Sequence, residues 1–347
     1  MTLLRQTSVR HLGAGRFLVA FAAVAALCSC HRSEPVRLYG EAQGTYYSIQ
    51  YYDPQQRNLQ PQIDSLLDAF DQSASLWVDS SLLRRINAGQ TDSLDDILMF
   101  LLQNSMQIME YTDGAFDPRV GRLVQTWGFS FKARTEPDSA TLAVLLRSTN
   151  GKIGYENMRF FREDTGTELD FNAIAQGYAS DLVARLLDSH DITSYLVDIG
   201  GEVVAHGTKA DGSPWRVGIE RPAADSLSTP TVQTAISLRN CSVVTSGSYR
   251  KYYERDGMRF SHTIDPATGR PVQHSLLSVS VVESEAWLAD AMATAYMVMG
   301  LDKARAFIQA HPDGPGTAAV YFIYDDNGEL RTYATPQFEQ LTKNTSI

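Results

Sequence analysis

Three cysteines in 347 residues are too few for a disulfide framework, and two of them, Cys28 and Cys30, lie almost side by side near the start. Cys241 stands alone, so the fold must rest on a sizeable apolar core. Positive charge is also short: 30 Lys and Arg face 40 Asp and Glu, a net charge of −10. That balance argues against nucleic acid as a partner and against a basic membrane-binding patch. No internal repeat or low-complexity tract occurs, and Gly13-Ala14-Gly15, with no strand before it, is not a dinucleotide fingerprint. Strands and helices are mixed without regular βαβ alternation, which points to an α+β fold.

The first thirty residues read as a leader. Arg5, Arg10 and Arg16 precede an apolar run from Phe17 to Leu27, which is too short to span a bilayer. In Leu27-Cys28-Ser29-Cys30, Leu at −3 and Ser at −1 resemble a bacterial lipobox. Residues 1–29 are then a signal peptide, Cys30 carries the lipid, and 30–37 form a tether. An ordinary secretory signal is the alternative. Both readings send the chain out of the cytoplasm, the first as a lipoprotein on the periplasmic side of a bacterial membrane. Losing three arginines and no acid takes the net charge from −10 to −13.

The chain is organised around Glu285 to Gly300, which lacks proline and internal glycine, carries alanine at 289, 291, 293 and 295, and has Gly300 as a stop. Trp287, Leu288, Met292, Tyr296 and Met299 supply the apolar side chains of a core helix. Asp290 and Thr294 share one face, because residues four apart on a helix do. A carboxylate buried there needs neutralising. Two oxygen ligands one turn apart suit a hard cation, Mg²⁺ before Zn²⁺. The competing reading is a solvent-facing Asp beside a packed Thr.

Elsewhere, Leu38 to Tyr52 predicts a strand with Gly44 inside it, and Ile63, Leu66, Leu67 and Phe70 predict a helix. Asp92 to Tyr111 predicts a second, more central helix. Asp113 to Pro118 is a turn-rich loop, and Thr149 to Lys152 predicts a hairpin turn. Leu169-Asp170 leads through Ala173 and Gln176 into a helix to about Ser189, whose small first residues leave backbone N–H groups accessible to an anion. Tyr195 to Ile199 predicts a strand ending at Gly200-Gly201, which serves either a tight hairpin or close approach to a ligand. Thr245 to Ser248 predicts a hydroxyl-rich turn that holds phosphate or caps a helix. Leu301 to Ala310 predicts a short helix, and Asn327-Gly328 a hairpin turn.

These motifs together resemble the FAD:protein FMN transferases, the ApbE family. The matching landmarks run in order from Gly44-Thr45-Tyr46 through Gly114 to Pro118, Leu169-Asp170, Ala175 to Tyr178 with Asp181, Gly200-Gly201, Trp215 to Ile219, Thr245-Ser246-Gly247, His262 with Asp265-Pro266, to Asp290-Ala291 with Thr294. The resemblance implies one catalytic domain over 38–340, built as two intimately packed lobes of mixed and antiparallel sheet with flanking helices and a ligand cleft between them. It implies Mg²⁺ on Asp290, Thr294 and a carbonyl near Ala173. FAD, the substrate, would lie against Gln43, Trp77, Ala115, Phe116, Asp117, Asp170, Gln176 and the Thr263-Ile264 backbone. His262 would be the base that frees a Thr or Ser hydroxyl of an acceptor protein, such as a redox-complex subunit, and FMN would stay on that oxygen as AMP leaves.

Three positions depart from the family pattern, which often has Met at Gln43, Tyr at Trp77 and Lys or Glu at Gln176. Trp77 can still stack on a flavin ring. Two other readings use the same residues: an FAD diphosphatase with water as acceptor, and a flavin-binding lipoprotein without turnover.

Overall fold

A computed structural model describes residues 34–129, 137–222, 231–248 and 263–343, with backbone alone for 252–255 and 258–261. Residues 35–347 cluster as one unit. Its centre is an antiparallel sheet of eight strands: β1 (Val36–Ala42), β2 (Thr45–Tyr51), β3 (Tyr195–Ile199), β4 (Glu202–His206), β5 (Cys241–Gly247), β6 (Leu276–Glu283), β7 (Ala319–Asp326) and β8 (Glu329–Ala334). Spatial order repeats chain order across the sheet. Sequence neighbours therefore pair, although long insertions separate β2 from β3, β4 from β5 and β6 from β7.

The described helices are α1 (Gln60–Ala74), α2 (Leu82–Asn87), α3 (Asp96–Tyr111), α4 (Gly121–Thr126), α5 (Ser139–Thr149), α6 (Ala175–Ser189), α7 (Ala286–Ala310) and α8 (Pro336–Lys343). One sheet face presents Tyr47, Ile49, Val197, Ile199, Val244, Val279, Val281 and Phe322 to α1, α3, α6 and α7 in the main core. The opposite face presents Val203, Ala205, Val243, Val282 and Tyr321 to a second cluster. The antiparallel hairpin Trp215–Arg221 and Thr231–Leu238 supplies Trp215, Ile219, Ile236 and Leu238 to it, and α8 supplies Phe338. Both faces are thus covered, and β6 is buried on both, with Ser278 and Ser280 enclosed among its valines. A third, small cluster joins Leu123 and Trp127 to Leu142, Leu145 and Ile264.

Several elements differ from the sequence expectation. The stretch from 38 to 52 is a hairpin, turned at Gln43 (φ 54°) and Gly44 (φ 72°), and its first strand begins at Val36, inside the expected tether. Thr149 to Lys152 is no hairpin turn: Thr149 ends α5 and Asn150 caps it. Thr245-Ser246-Gly247 is not a turn but the last part of β5, paired with β6. Gly200 (φ 66°) and Gly201 (φ 112°) form a two-residue hairpin loop between Ile199 and Glu202. Asn327 (φ 56°) and Gly328 (φ 91°) do the same between β7 and β8. The break at Gly300 is present: φ 74° and ψ 169° interrupt α7 there, a conformation that costs other residues a Cβ clash. Among the described residues no helix is long and apolar enough to cross a membrane.

α6 and α7 touch at Gly177. A Cβ there would lie 2.4 Å from the Ala286 carbonyl oxygen and 2.9 Å from the Asp290 Cβ, so the absence of a side chain sets how closely the helices approach. Gly177→Ala would gain about 1 kcal/mol of helix propensity yet force the helices apart at about 1–3 kcal/mol. The expected outcome in urea denaturation is a net loss of stability. An unchanged or raised midpoint would show that the contact is slack.

Candidate active site

The turns at Gln43-Gly44 and Gly200-Gly201 and the end of β5 at Gly247 all lie at one end of the sheet, as the antiparallel register dictates. The first turn of α6 meets this end: a Cβ on Gly200 would sit 2.4 Å from Gln176 Nε2 and 2.7 Å from Thr45 Cγ2. The bare backbone of Gly200 therefore makes room for Gln176.

Asp290 is 5% exposed, not solvent-facing. Its Oδ2 accepts the Gly177 N–H at 3.1 Å, in the first turn of α6, and no described donor reaches Oδ1. Burial pushes the Asp290 carboxyl up, the Gly177 N–H opposes that, and the charge of Asp181 adds to it. Asp181, on α6, accepts the N–H groups of Ala286 and Trp287, each at 2.9 Å. Burial pushes it up to about 7 against those two hydrogen bonds. Each helix is thus capped by an aspartate of the other, satisfying N–H groups that a helix start leaves without partners.

One turn along α7, Thr294 Oγ1 lies 3.3 Å from Ser246 Oγ on β5. At the start of α6, the Ala173 carbonyl accepts from no described residue, because the N–H that would ordinarily reach it belongs to Gly177 and goes to Asp290. The Gln176 N–H likewise has no described acceptor. The Asp290 carboxylate, the Thr294 hydroxyl and the Ala173 carbonyl are a hard-oxygen set suited to Mg²⁺ with phosphate or water completing it. No group of three His, Cys, Asp or Glu side chains that could hold a metal occurs among the described residues. That excludes a zinc-type cage there but not a three-oxygen site of this composition.

The other predicted residues divide into two groups. Asp170, 7% exposed, accepts the Asn172 N–H at 2.8 Å, and burial pushes its carboxyl up to about 6. The segment before it, irregular rather than the expected strand, is clamped by Asn87, whose side-chain amide bonds both the N–H and the C=O of Leu169 at 2.8 Å. The Gln43 side-chain amide is shut off from solvent with neither atom hydrogen-bonded, a cost a polar ligand would remove. Trp77 is 59% exposed, and Ala115 packs at the core edge. Phe116, in contrast, is 2% exposed in the main core, so a ligand can meet it only through its main chain. Asp117 is gripped by Arg119, Nε to Oδ1 at 2.9 Å and Nη2 to Oδ2 at 2.7 Å. The Thr263 carbonyl accepts from Val272 at 3.0 Å, and Ile264 packs in the third cluster. His262 and Cys30 lie outside the described residues.

Sequence reasoning missed two partners, Arg119 and Asn87, and gave Asp181, matched as a landmark, no role. Arg119, two residues from Asp117, was signalled by its spacing. Asp181 was signalled by an acid at a position the helix buries. Asn87 acts across 82 residues and carries no local signal.

A helix pair that buries two carboxylates beside a backbone carbonyl and an N–H without described partners thus lies on one face of an antiparallel α+β sheet. Comparison with known proteins gives that arrangement a family. The ApbE family profile matches residues 43–320, and the chain belongs to the ApbE family. It is 33% identical to the FAD:protein FMN transferase of Escherichia coli K12 over 96% of both chains. The same-named protein of Vibrio cholerae O395 is 33% identical, over 93% of this chain and 98% of that one. Among solved structures, the flavin transferase ApbE of V. cholerae superposes with a TM-score of 0.76 at 31% identity, covering 89% of this chain and 99% of that chain. The apo flavinyl transferase ApbE of Pseudomonas stutzeri gives 0.78 at 30%, covering 90% and 98%.

The crossed caps make two predictions. Asp181→Ala strands two buried N–H groups and is expected to cost about 1–3 kcal/mol each at most, read as a lower urea midpoint; an unchanged midpoint would show that the cap is idle. The native state also holds protons on Asp170, Asp181 and Asp290 that the unfolded chain releases near its ordinary carboxyl range. These groups therefore favour folding below about pH 4 and lose that contribution as pH rises toward 7. In chelator-treated protein, stability should fall between pH 5 and 7.5, less so in Asp181→Asn, and equal slopes would remove Asp181 from the account.

Proposed function

We propose that this chain is an FAD:protein FMN transferase that uses Mg²⁺ and leaves FMN on an acceptor Thr or Ser through a phosphoester, releasing AMP. The observation that carries the reading is the meeting of α6 and α7. There a family member buries Asp290 against the Gly177 N–H, sets Thr294 one turn on, and leaves the Ala173 carbonyl without a donor among the described residues. Those three groups would hold the ion. Bound there, Mg²⁺ would neutralise charge on the pyrophosphate, the main requirement of phosphoryl transfer.

The chain's own residues do the rest. The Gln176 N–H, without a described acceptor in the first turn of α6, lies at the positive end of that helix and favours a phosphate oxygen. The unsatisfied amide of Gln43 offers both a donor and an acceptor to a flavin edge, and the exposed ring of Trp77 offers a stacking surface. The base falls to His262 by resemblance, since imidazole titrates near neutral pH. It takes the proton of the acceptor hydroxyl, whose oxygen attacks the FMN-side phosphorus. The bond to the AMP-side oxygen breaks, and AMP leaves. The acceptor is a protein with an accessible Thr or Ser, in keeping with a redox-complex subunit. A lipid on Cys30 would hold the enzyme on the periplasmic side of the membrane.

Purified protein given FAD and Mg²⁺ should release AMP when an acceptor domain is present and leave a fluorescent flavin covalently on it. Asp290→Ala should reduce turnover by at least about a hundredfold, as loss of a charge-neutralising group does. His262→Ala should stop transfer but spare FAD binding. AMP released equally without acceptor would make the enzyme a diphosphatase, and tight FAD with no AMP would make it a binding protein.

A further inference from the structure

Hydroxyls of helical threonines have a default partner, the carbonyl four residues back. Among the described residues Thr112 bonds the Ile108 carbonyl at 2.7 Å, Thr126 that of Arg122 at 2.7 Å and Thr149 that of Leu145 at 3.1 Å, while Thr342 reaches that of Glu339, three back, at 2.8 Å. Thr294 does neither. It lies mid-helix, its carbonyl four back is that of Asp290, and its hydroxyl pairs instead with Ser246 across the helix–sheet interface at 3.3 Å. Ser246 is fixed in turn by β5, with Val279 of β6 opposite it. Its neighbour Thr245 points to the other face and bonds Ser280 at 2.7 Å.

This matters for a neutral ligand. A threonine oxygen offers a lone pair to a cation only when its proton is directed elsewhere, and the two directions must be set together. We propose that Ser246 is a positioning residue for the ion site: it accepts the Thr294 proton, keeps that hydroxyl off the Asp290 carbonyl, and turns the oxygen's lone pair to the side of the Asp290 carboxylate. The inference rests on the Mg²⁺ reading above and adds to it a residue that touches neither ion nor flavin. Groups that orient a ligand in this way typically change metal affinity about 10–100-fold when removed.

The test is metal affinity in the full-length protein without FAD, using Mn²⁺ and the electron paramagnetic resonance signal of the free ion. Ser246→Ala should weaken Mn²⁺ about tenfold, Ser246→Thr should stay near wild type because the hydroxyl remains, and Thr294→Val should weaken it at least as much as Ser246→Ala. The double variant Ser246→Ala/Thr294→Val should bind no more weakly than Thr294→Val alone, which a merely structural serine would not produce. Circular dichroism melts check that each variant is folded, and Ser246→Thr keeps the question open to decision if Ser246→Ala is not. Wild-type affinity in Ser246→Ala, or additive losses in the double variant, would overturn the proposal. Wild-type affinity in Asp290→Ala would instead overturn the metal reading itself, so the two failures are distinguishable.

Discussion

The crossed capping of α6 and α7 is the constraint on which the site depends. Helix starts leave N–H groups that must find acceptors when buried. Here the acceptors are carboxylates carried by the opposite helix, Asp290 to Gly177 and Asp181 to Ala286 and Trp287. Neither acid reaches its partner unless the helices approach closely, and Gly177 permits that. The same contact diverts the Gly177 N–H from the Ala173 carbonyl, so closing the helix pair and opening a backbone acceptor are one event. Two acids buried this close repel, and both are pushed upward by burial first. The pair therefore stores a demand for positive charge that helix dipoles meet only in part.

The sheet places that pair. In a meander every second turn falls at the same end, which gathers Gln43, Gly200 and the end of β5 without any long crossover. The insertions carry the chemistry: β2 to β3 contains α1 through α6, and β6 to β7 contains α7. A helix face on one side and the hairpin with α8 on the other bury the sheet twice over. The site can then rest on rigid strands and helix ends, and Ser246 meets Thr294 because α7 packs directly on β5 in the main core.

What the sequence disclosed follows from how local the cause is. Asp290 and Thr294 were legible because an i, i+4 pair in an alanine-rich helix has one geometry, and Gly300 because only glycine takes its conformation freely. The β7–β8 hairpin was legible through Asn327-Gly328. The break at Gln43-Gly44 was hidden because Gln, unlike Asn, gives no turn signal there, so two strands read as one. Thr245 to Ser248 looked like a turn by composition, whereas pairing with β6 holds it extended, a tertiary override of propensity. Helix α5 was missed because its apolar positions serve a small separate cluster. The partners of Asp170 and Asp117 divide in the same way: Arg119 is two residues off, while the Asn87 clamp spans 82.

The composition of the proposed ion site bears on how it would work. One carboxylate, one alcohol and one carbonyl bring a single negative charge and cover about half of an octahedron. Such a set is a poor trap for a free cation, since Mg²⁺ gives up water reluctantly. The remaining positions would suit the oxygens a dinucleotide's bridging phosphates carry, and the Gln176 N–H, three residues on from Ala173, has no described acceptor. Ion and dinucleotide would then each raise the affinity for the other by an equal factor, as linkage requires. On this account a site with few acids would hold metal weakly by itself and more tightly when there is a pyrophosphate to cleave.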